Sequence, residues 1–143
     1  MNLYFAYGSN MWREQMNNRC PDHEYFGNGI LKGYRWIISK RGYANIIESE
    51  VDEVHGVVYK ISETDELRLD KYEGVKIGSY NKDIKNVTIE WTSYRCLVYI
   101  DPIPVEGQPR EEYIKRINKG IKDAALPEEY VERHIRKSIP IRK

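Results

Sequence analysis

The sequence predicts an α+β fold, a small curved mixed β-sheet or barrel with flanking helices. Strand-like segments dominate the first 100 residues, helical periodicity is concentrated at the end of the chain, and few repeated βαβ units appear. With 143 residues, 41% hydrophobic composition and three tryptophans, the chain is expected to form a single domain over residues 1–143 with a real core.

Each element has a local reason. Residues 3–7, Leu-Tyr-Phe-Ala-Tyr, are a near-continuous apolar run, the pattern of a strand buried on both faces. Asn10 is placed to cap a short helix over residues 11–18, so that Gly8, Ser9 and Asn10 turn the chain from strand to helix N-terminus. After Cys20-Pro21, strands are expected near residues 25–39, 44–47 and 54–61. Gly27, Gly29 and Gly33 permit bends in the first of these, and Arg41-Gly42 marks a turn.

Ser62-Glu63-Thr64-Asp65 has the form of a capping box with Asp as its acidic member. A helix should begin there, run to about Tyr72 and stop at Gly74. Residues 80–91 and 94–100 are aromatic and β-branched enough to pair as antiparallel strands across Thr92-Ser93. Residues 101–109, with three prolines and Gly107, read as a loop. Tyr113, Ile114, Ile117, Ile121 and Ala124 then follow helical spacing. Leu126-Pro127 interrupts it, and Tyr130, Val131, His134 and Ile135 resume it. The basic tail over residues 136–143 is expected to be a solvated end.

A formal charge of +1, with both signs interleaved, provides no electrostatic footprint for nucleic acid or an anionic membrane. A small-molecule ligand is expected instead. Apolar runs are strand-length, well short of the roughly 20 residues of a membrane span, and Met1 leads straight into the first strand, so a cytoplasmic protein is expected. Cys20 and Cys96 are far apart and lack metal-site spacing, which favours reduced structural thiols. His23, His55 and His134 share no pattern with carboxylates, and no metal is expected.

Two segments carry chemistry. Tyr7-Gly8-Ser9-Asn10 follows a buried strand, where a glycine and two small polar residues let the backbone turn sharply and bring N–H donors toward an anion or carbonyl oxygen. It matches neither a phosphate loop nor a dinucleotide fingerprint, although Tyr-Gly-Ser-Asn is also an ordinary turn sequence. Ser9 as a nucleophile would lack the G-x-S-x-G elbow and an identifiable histidine partner.

The second segment is Glu73-Gly74. A helix C-terminus repels negative charge and neighbours such as Tyr72 reduce solvation, so the Glu73 carboxyl pKa should rise toward neutrality. Such a group can take a proton from an ammonium and return it to a leaving amine. Glutamate before a C-cap glycine is also common on protein surfaces.

These segments occur in a longer pattern. Leu3-Tyr4-Phe5-Ala6-Tyr7-Gly8-Ser9-Asn10-Met11, Asp52-Glu53-Val54-His55-Gly56-Val57-Val58-Tyr59 and Leu69-Asp70-Lys71-Tyr72-Glu73-Gly74-Val75 resemble, in order and spacing, the γ-glutamylcyclotransferase family. The resemblance continues through Gly78-Ser79-Tyr80, Cys96-Leu97-Val98-Tyr99, Tyr113 and Leu126-Pro127-Glu128-Glu129-Tyr130. It implies a small mixed barrel with flanking helices and an enzyme that needs no cofactor. It assigns Glu73 the acid/base role. It also places Tyr4, Phe5, Ala6, Tyr7, Gly8 and Ser9 along the substrate pocket, with Asn10 supporting the loop and Tyr80, Tyr99 and Tyr113 as aromatic walls or hydrogen-bond partners. The segment before Tyr113, Gln108-Pro109-Arg110-Glu111-Glu112, departs from the family's usual small polar residue and proline.

The implied reaction cyclises the γ-glutamyl group of a small amide or dipeptide to 5-oxoproline, with release of an amine or amino acid. The loop N–H groups would bind either the α-carboxylate or the tetrahedral oxyanion. Residues 39–43 and 101–108 are candidates for the leaving-group side. The contrasting readings are a catalytically silent small-molecule binding module that keeps the same pocket, and a protein-interaction domain with an exposed apolar patch.

Overall fold

The first strand, β1 (Asn2–Ala6), has partners on both sides, which explains its apolar sequence. It pairs antiparallel with β3 (Ala44–Ile61) from Asn2↔Ile61 to Ala6↔Val57, and parallel with β5 (Thr92–Ile100) at Tyr4↔Leu97. With β2 (Glu24–Ile38) and β4 (Asn81–Ile89), the strands close a barrel in the order β1-β3-β2-β4-β5. The single parallel pair makes the sheet mixed, and closure leaves no free edge beside β1. The computed structural model describes residues 2–142. Met1, which the sequence puts directly ahead of the first strand, and Lys143, the last residue of the basic tail, lie outside the described residues.

The β2–β3 ribbon runs from Glu24↔Lys60 to Ile38↔Ala44. The two separate strands expected over residues 44–47 and 54–61 are one strand. Residues 49–52 remain extended while standing opposite Gly33 alone, between the pairs Tyr34↔Glu48 and Lys32↔Glu53. Their polarity resembles a loop because the ribbon reaches solvent here, with Val51 91% exposed. Gly33 takes the left-handed φ of 88° that the bulge requires.

Asn10 does not cap a helix. Ser9–Met11 forms a 3₁₀ turn, and the helix α1 (Arg13–Arg19) starts after Trp12 without a side-chain cap, because the Asn10 side chain is engaged elsewhere. The second helix, α2 (Glu63–Tyr72), begins with the expected capping box. Ser62 Oγ accepts from the Asp65 N–H at 3.0 Å, and Asp65 Oδ2 accepts from the Ser62 N–H at 3.2 Å. Gly74, at φ 63°, ends it.

The β4–β5 turn lies at Glu90-Trp91, two residues before the Thr92-Ser93 expected from sequence. Ile89 pairs with Thr92, Glu90 adopts φ 55°, and Trp91 is 98% exposed at the tip, so its aromatic character marks no buried strand position.

The third helix, α3 (Glu111–Ala124), buries Tyr113, Ile114, Ile117 and Ala124. At Gly120 it approaches the 3₁₀ turn so closely that a Cβ would lie 3.0 Å from Met11 Cβ and 3.2 Å from the Trp12 nitrogen. Past Ala125 and Pro127, α4 (Glu128–Tyr130) runs into a wider π turn over Val131–Ile135. The basic tail is not simply solvated. Ile135 and Ile139 are fully buried, and Arg136 donates to Asn118 Oδ1 and the Ile139 carbonyl, which closes the tail over α3. No helix among the described residues is long and apolar enough to cross a membrane.

Candidate active site

The chain leaves β1 with the carbonyl and the hydroxyl of Tyr7 both committed. Its carbonyl accepts from Trp36 Nε1 at 2.9 Å, and its hydroxyl donates to the Tyr99 carbonyl at 2.5 Å. The 3₁₀ turn then begins with the Met11 N–H bonded to the Gly8 carbonyl at 3.1 Å. The N–H groups of Ser9 and Asn10 therefore belong to a first turn, where no intrahelical acceptor exists, and the Ser9 N–H turns toward the Tyr113 hydroxyl. Such N–H groups are suited to an anion or an oxyanion.

Asn10 locks this loop. Its Nδ2 donates to the Tyr4 hydroxyl at 2.9 Å, while Oδ1 accepts from Gln15 at 2.8 Å and Arg19 at 3.1 Å. The Asn10 carbonyl accepts from the Tyr59 hydroxyl at 2.9 Å. Ser9 Oγ accepts from Gln15 Nε2 at 2.7 Å, and no histidine lines the cavity beside it, which removes the support for a Ser9 nucleophile. Gly8 is held against its neighbours, since a Cβ there would lie 2.9 Å from the Tyr113 hydroxyl and 3.0 Å from Ala44 Cβ.

Facing the loop is the end of α2. The Glu73 N–H bonds to the Leu69 carbonyl at 2.8 Å, and Gly74 then turns the chain back, its carbonyl accepting from the Ser79 N–H at 3.0 Å. Glu73 and the loop border one cavity of about 480 Å³. Tyr4, Phe5, Tyr7, Gly8, Ser9, Asn10, Tyr80, Tyr99 and Tyr113 all reach it. Ala6 does not: it lies in the barrel wall opposite Val57, where a one-carbon side chain falls short of the cavity.

Burial pushes the Glu73 carboxyl from an ordinary 4.5 to about 7, against the opposing pull of Arg19 and Arg41. The residue keeps partial exposure through the cavity mouth, while its carboxyl group is enclosed by protein. The main cause is therefore the enclosed cavity. Tyr72 also borders the cavity but is more than half exposed, with the Arg19 guanidinium 4.5 Å from its ring centre. Burial, reinforced by Glu73, raises Tyr4, Tyr7 and Tyr80 above the ordinary phenol range and pushes Tyr113 up to about 12. The hydroxyls around the carboxylate consequently stay neutral.

Two further wall tyrosines also use their hydroxyls for structure. Tyr80 donates to the Ala44 carbonyl at 2.9 Å and Tyr99 to Asp70 Oδ1 at 2.7 Å. Residues 39–43 contribute Arg41 and Tyr43 to the lining. Residues 101–108 do not line the cavity, but Asp101 holds Arg41 from behind, Oδ2 accepting from Nη2 at 2.9 Å.

Arg19, Lys71 and Arg116 also line the cavity and were not singled out from the sequence. The spacing of Arg116, three residues beyond Tyr113 on one helix face, was an available signal for it. Nothing local marks Arg19. Among the described residues, no group of three or more His, Cys, Asp or Glu is arranged to hold a metal.

The chain matches the AIG2-like family over residues 53–133. It is 34% identical to human γ-glutamylcyclotransferase over 142 residues, an alignment covering 92% of this chain and 76% of the human protein. The mouse γ-glutamylcyclotransferase is 36% identical over 145 residues with the same coverage. A solved γ-glutamyl cyclotransferase structure superposes with a TM-score of 0.87 at 31% identity, covering 99% of this chain and 89% of its own.

Proposed function

Since this chain belongs to the γ-glutamylcyclotransferase family, we propose that it is an enzyme that cyclises the γ-glutamyl group of a small amide or dipeptide to 5-oxoproline, with Glu73 as its acid/base group. The observation that carries this reading is the enclosed Glu73 carboxyl, with a pKa of about 7, in the cavity bordered by the Gly8–Asn10 turn. A carboxyl group poised there exchanges a proton readily at neutral pH.

In this mechanism the Glu73 carboxylate takes one proton from the substrate α-ammonium. The freed amine attacks the γ-carbonyl carbon, forming the ring C–N bond and a tetrahedral oxyanion. As that oxyanion collapses, the amide C–N bond breaks and Glu73 returns its proton to the leaving nitrogen. The ring nitrogen's second excess proton also passes to the leaving amine, so Glu73 ends as it began. N–H groups of the Gly8–Asn10 loop anchor the α-carboxylate, which bends the extended glutamyl chain toward its own carbonyl. Well-oriented intramolecular reactions reach effective molarities of about 10⁵ M or more, so this folding of the substrate is a large share of the catalysis.

The test is incubation of the protein with γ-glutamyl dipeptides and quantification of 5-oxoproline by mass spectrometry. Turnover that is lost in Glu73→Gln is the expected result. Saturable binding without 5-oxoproline would replace the enzyme by the silent binding module.

A further inference from the structure

Arg41 occupies an unusual position in the cavity wall. It comes from the turn between β2 and β3, a different part of the fold from the Gly8–Asn10 loop, and it shares the cavity with Glu73. Its guanidinium is fixed by one nitrogen only: Nη2 donates to the Ser79 carbonyl at 2.6 Å and to Asp101 Oδ2 at 2.9 Å. The Asp101 side chain is 3% exposed, so this clamp is built into the protein. The guanidinium carbon lies 5.3 Å from the centre of the Tyr80 ring. An arginine carries five N–H donors, and this clamp uses those of Nη2, which leaves the donors of Nη1 without a protein acceptor and able to bind one oxygen of an anion.

Arg19 is the other arginine beside Glu73, but it is tied to the loop through Asn10 Oδ1 and so shares the wall of the glutamyl anchor. The cationic lining of Arg19, Arg41, Lys71 and Arg116 is opposed by the acidic residues Glu73 and Glu112. A ligand with two carboxylates and one ammonium suits that balance better than one with a single carboxylate.

We infer that Arg41 is the leaving-group selector of this site, its unengaged Nη1 donors receiving a carboxylate on the amine that departs. The inference rests on the proposed cyclotransferase reaction. It makes γ-glutamyl amino acids better substrates than γ-glutamyl amines of the same size. Arg41 is in this role a specificity residue, and the proton transfers remain with Glu73.

The matched probes are γ-glutamyl-alanine and γ-glutamyl-ethylamide, which differ by the leaving-group carboxylate alone. The unmodified protein should favour γ-glutamyl-alanine by about 10- to 100-fold in kcat/KM, the worth of a hydrogen bond to a charged group. In Arg41→Gln that ratio should collapse toward one, chiefly through KM, while Arg41→Lys should recover part of it and Arg19→Gln should preserve it. Because the ratio is taken within one protein, a loss of folded material cancels. An unmodified protein that does not discriminate, or an Arg41→Gln variant that keeps the full ratio, overturns the assignment.

If neither probe yields 5-oxoproline, the cyclotransferase reading fails by itself. Calorimetric binding of both probes to the Glu73→Gln protein, with and without Arg41→Gln, then decides the role of Arg41 independently of turnover. A binding preference for the carboxylate that disappears with Arg41 supports it, and equal binding of the two probes rejects it.

Discussion

The Tyr99 hydroxyl donates a 2.7 Å hydrogen bond to Asp70 Oδ1, and Asp70 lies on α2 one turn ahead of Glu73. The other Asp70 oxygen accepts from Lys82 Nζ at 3.0 Å, and Lys82 also reaches Glu66 on the same helix. A barrel strand thus sets the rotation of the helix whose end presents the acid/base carboxyl. Tyr99→Phe is expected to destabilise the protein by about 1–2 kcal/mol and to lower kcat more than it raises KM. Asp70→Asn keeps an oxygen acceptor for Tyr99 and should be milder in both respects. Thermal melts and steady-state kinetics check this, and a Tyr99→Phe variant with unchanged kcat would show that the bond does not position Glu73.

Glu73→Gln should bind γ-glutamyl dipeptides and lose at least about 10²-fold in kcat, since positioned acid–base catalysis typically contributes about 10² to 10⁴. In the unmodified protein kcat/KM should rise with pH through about 7 as Glu73 becomes the base, a limb the variant should lack. Near-normal 5-oxoproline formation by a well-folded variant would falsify the assigned role.

The same carboxyl couples stability to pH. Its folded pKa of about 7 lies above the ordinary 4.5, so between these values the folded protein holds a proton that the unfolded chain has released. Stability therefore falls as pH climbs through that window, by about 1–3 kcal/mol. Glu73→Gln should melt several degrees above the unmodified protein at pH 8, with the gap narrowing toward pH 4.5. Equal melting temperatures at both pH values would contradict the burial of an ionisable group here.

Gly8→Val should impair both folding and binding. Its Cβ would meet the Tyr113 hydroxyl at 2.9 Å, and relief of that clash must move the wall or the loop. A cost of about 1–3 kcal/mol in stability is expected, with weaker binding of a γ-glutamyl dipeptide. Titration calorimetry on the folded fraction tests the cradle, and undiminished affinity would count against it.

Features governed by neighbouring residues were the legible ones. The capping box at Ser62 and Asp65, the stop at Gly74 and the apolar β1 each follow from local chemistry, and they suffice to bring Glu73 to the end of a helix. What the sequence concealed depends on distant partners. Asn10 has the chemistry of an N-cap, but Tyr4, Gln15 and Arg19 compete for its side chain once the barrel has closed. Residues 49–52 look like a loop because a ribbon projecting into water has the same polarity as one. Ile139 follows basic residues and is nevertheless buried, because Arg136 draws the tail back through Asn118. The elevated carboxyl pKa follows in the sequence from the helix end and from loss of solvation beside Tyr72, and of these two it is desolvation, by the whole cavity wall, that is the main cause.

The bond from the Trp36 indole to the Tyr7 carbonyl gives the protein an internal optical gauge. Trp36 is buried and touches the backbone immediately before Gly8, so a shift in that backbone changes the polarity and hydrogen bonding of a fluorophore. The chain contains only two other tryptophans, Trp12 and Trp91. Replacing both with phenylalanine isolates the Trp36 emission, whose wavelength and quenching then report loop movement in real time, without a label and without turnover.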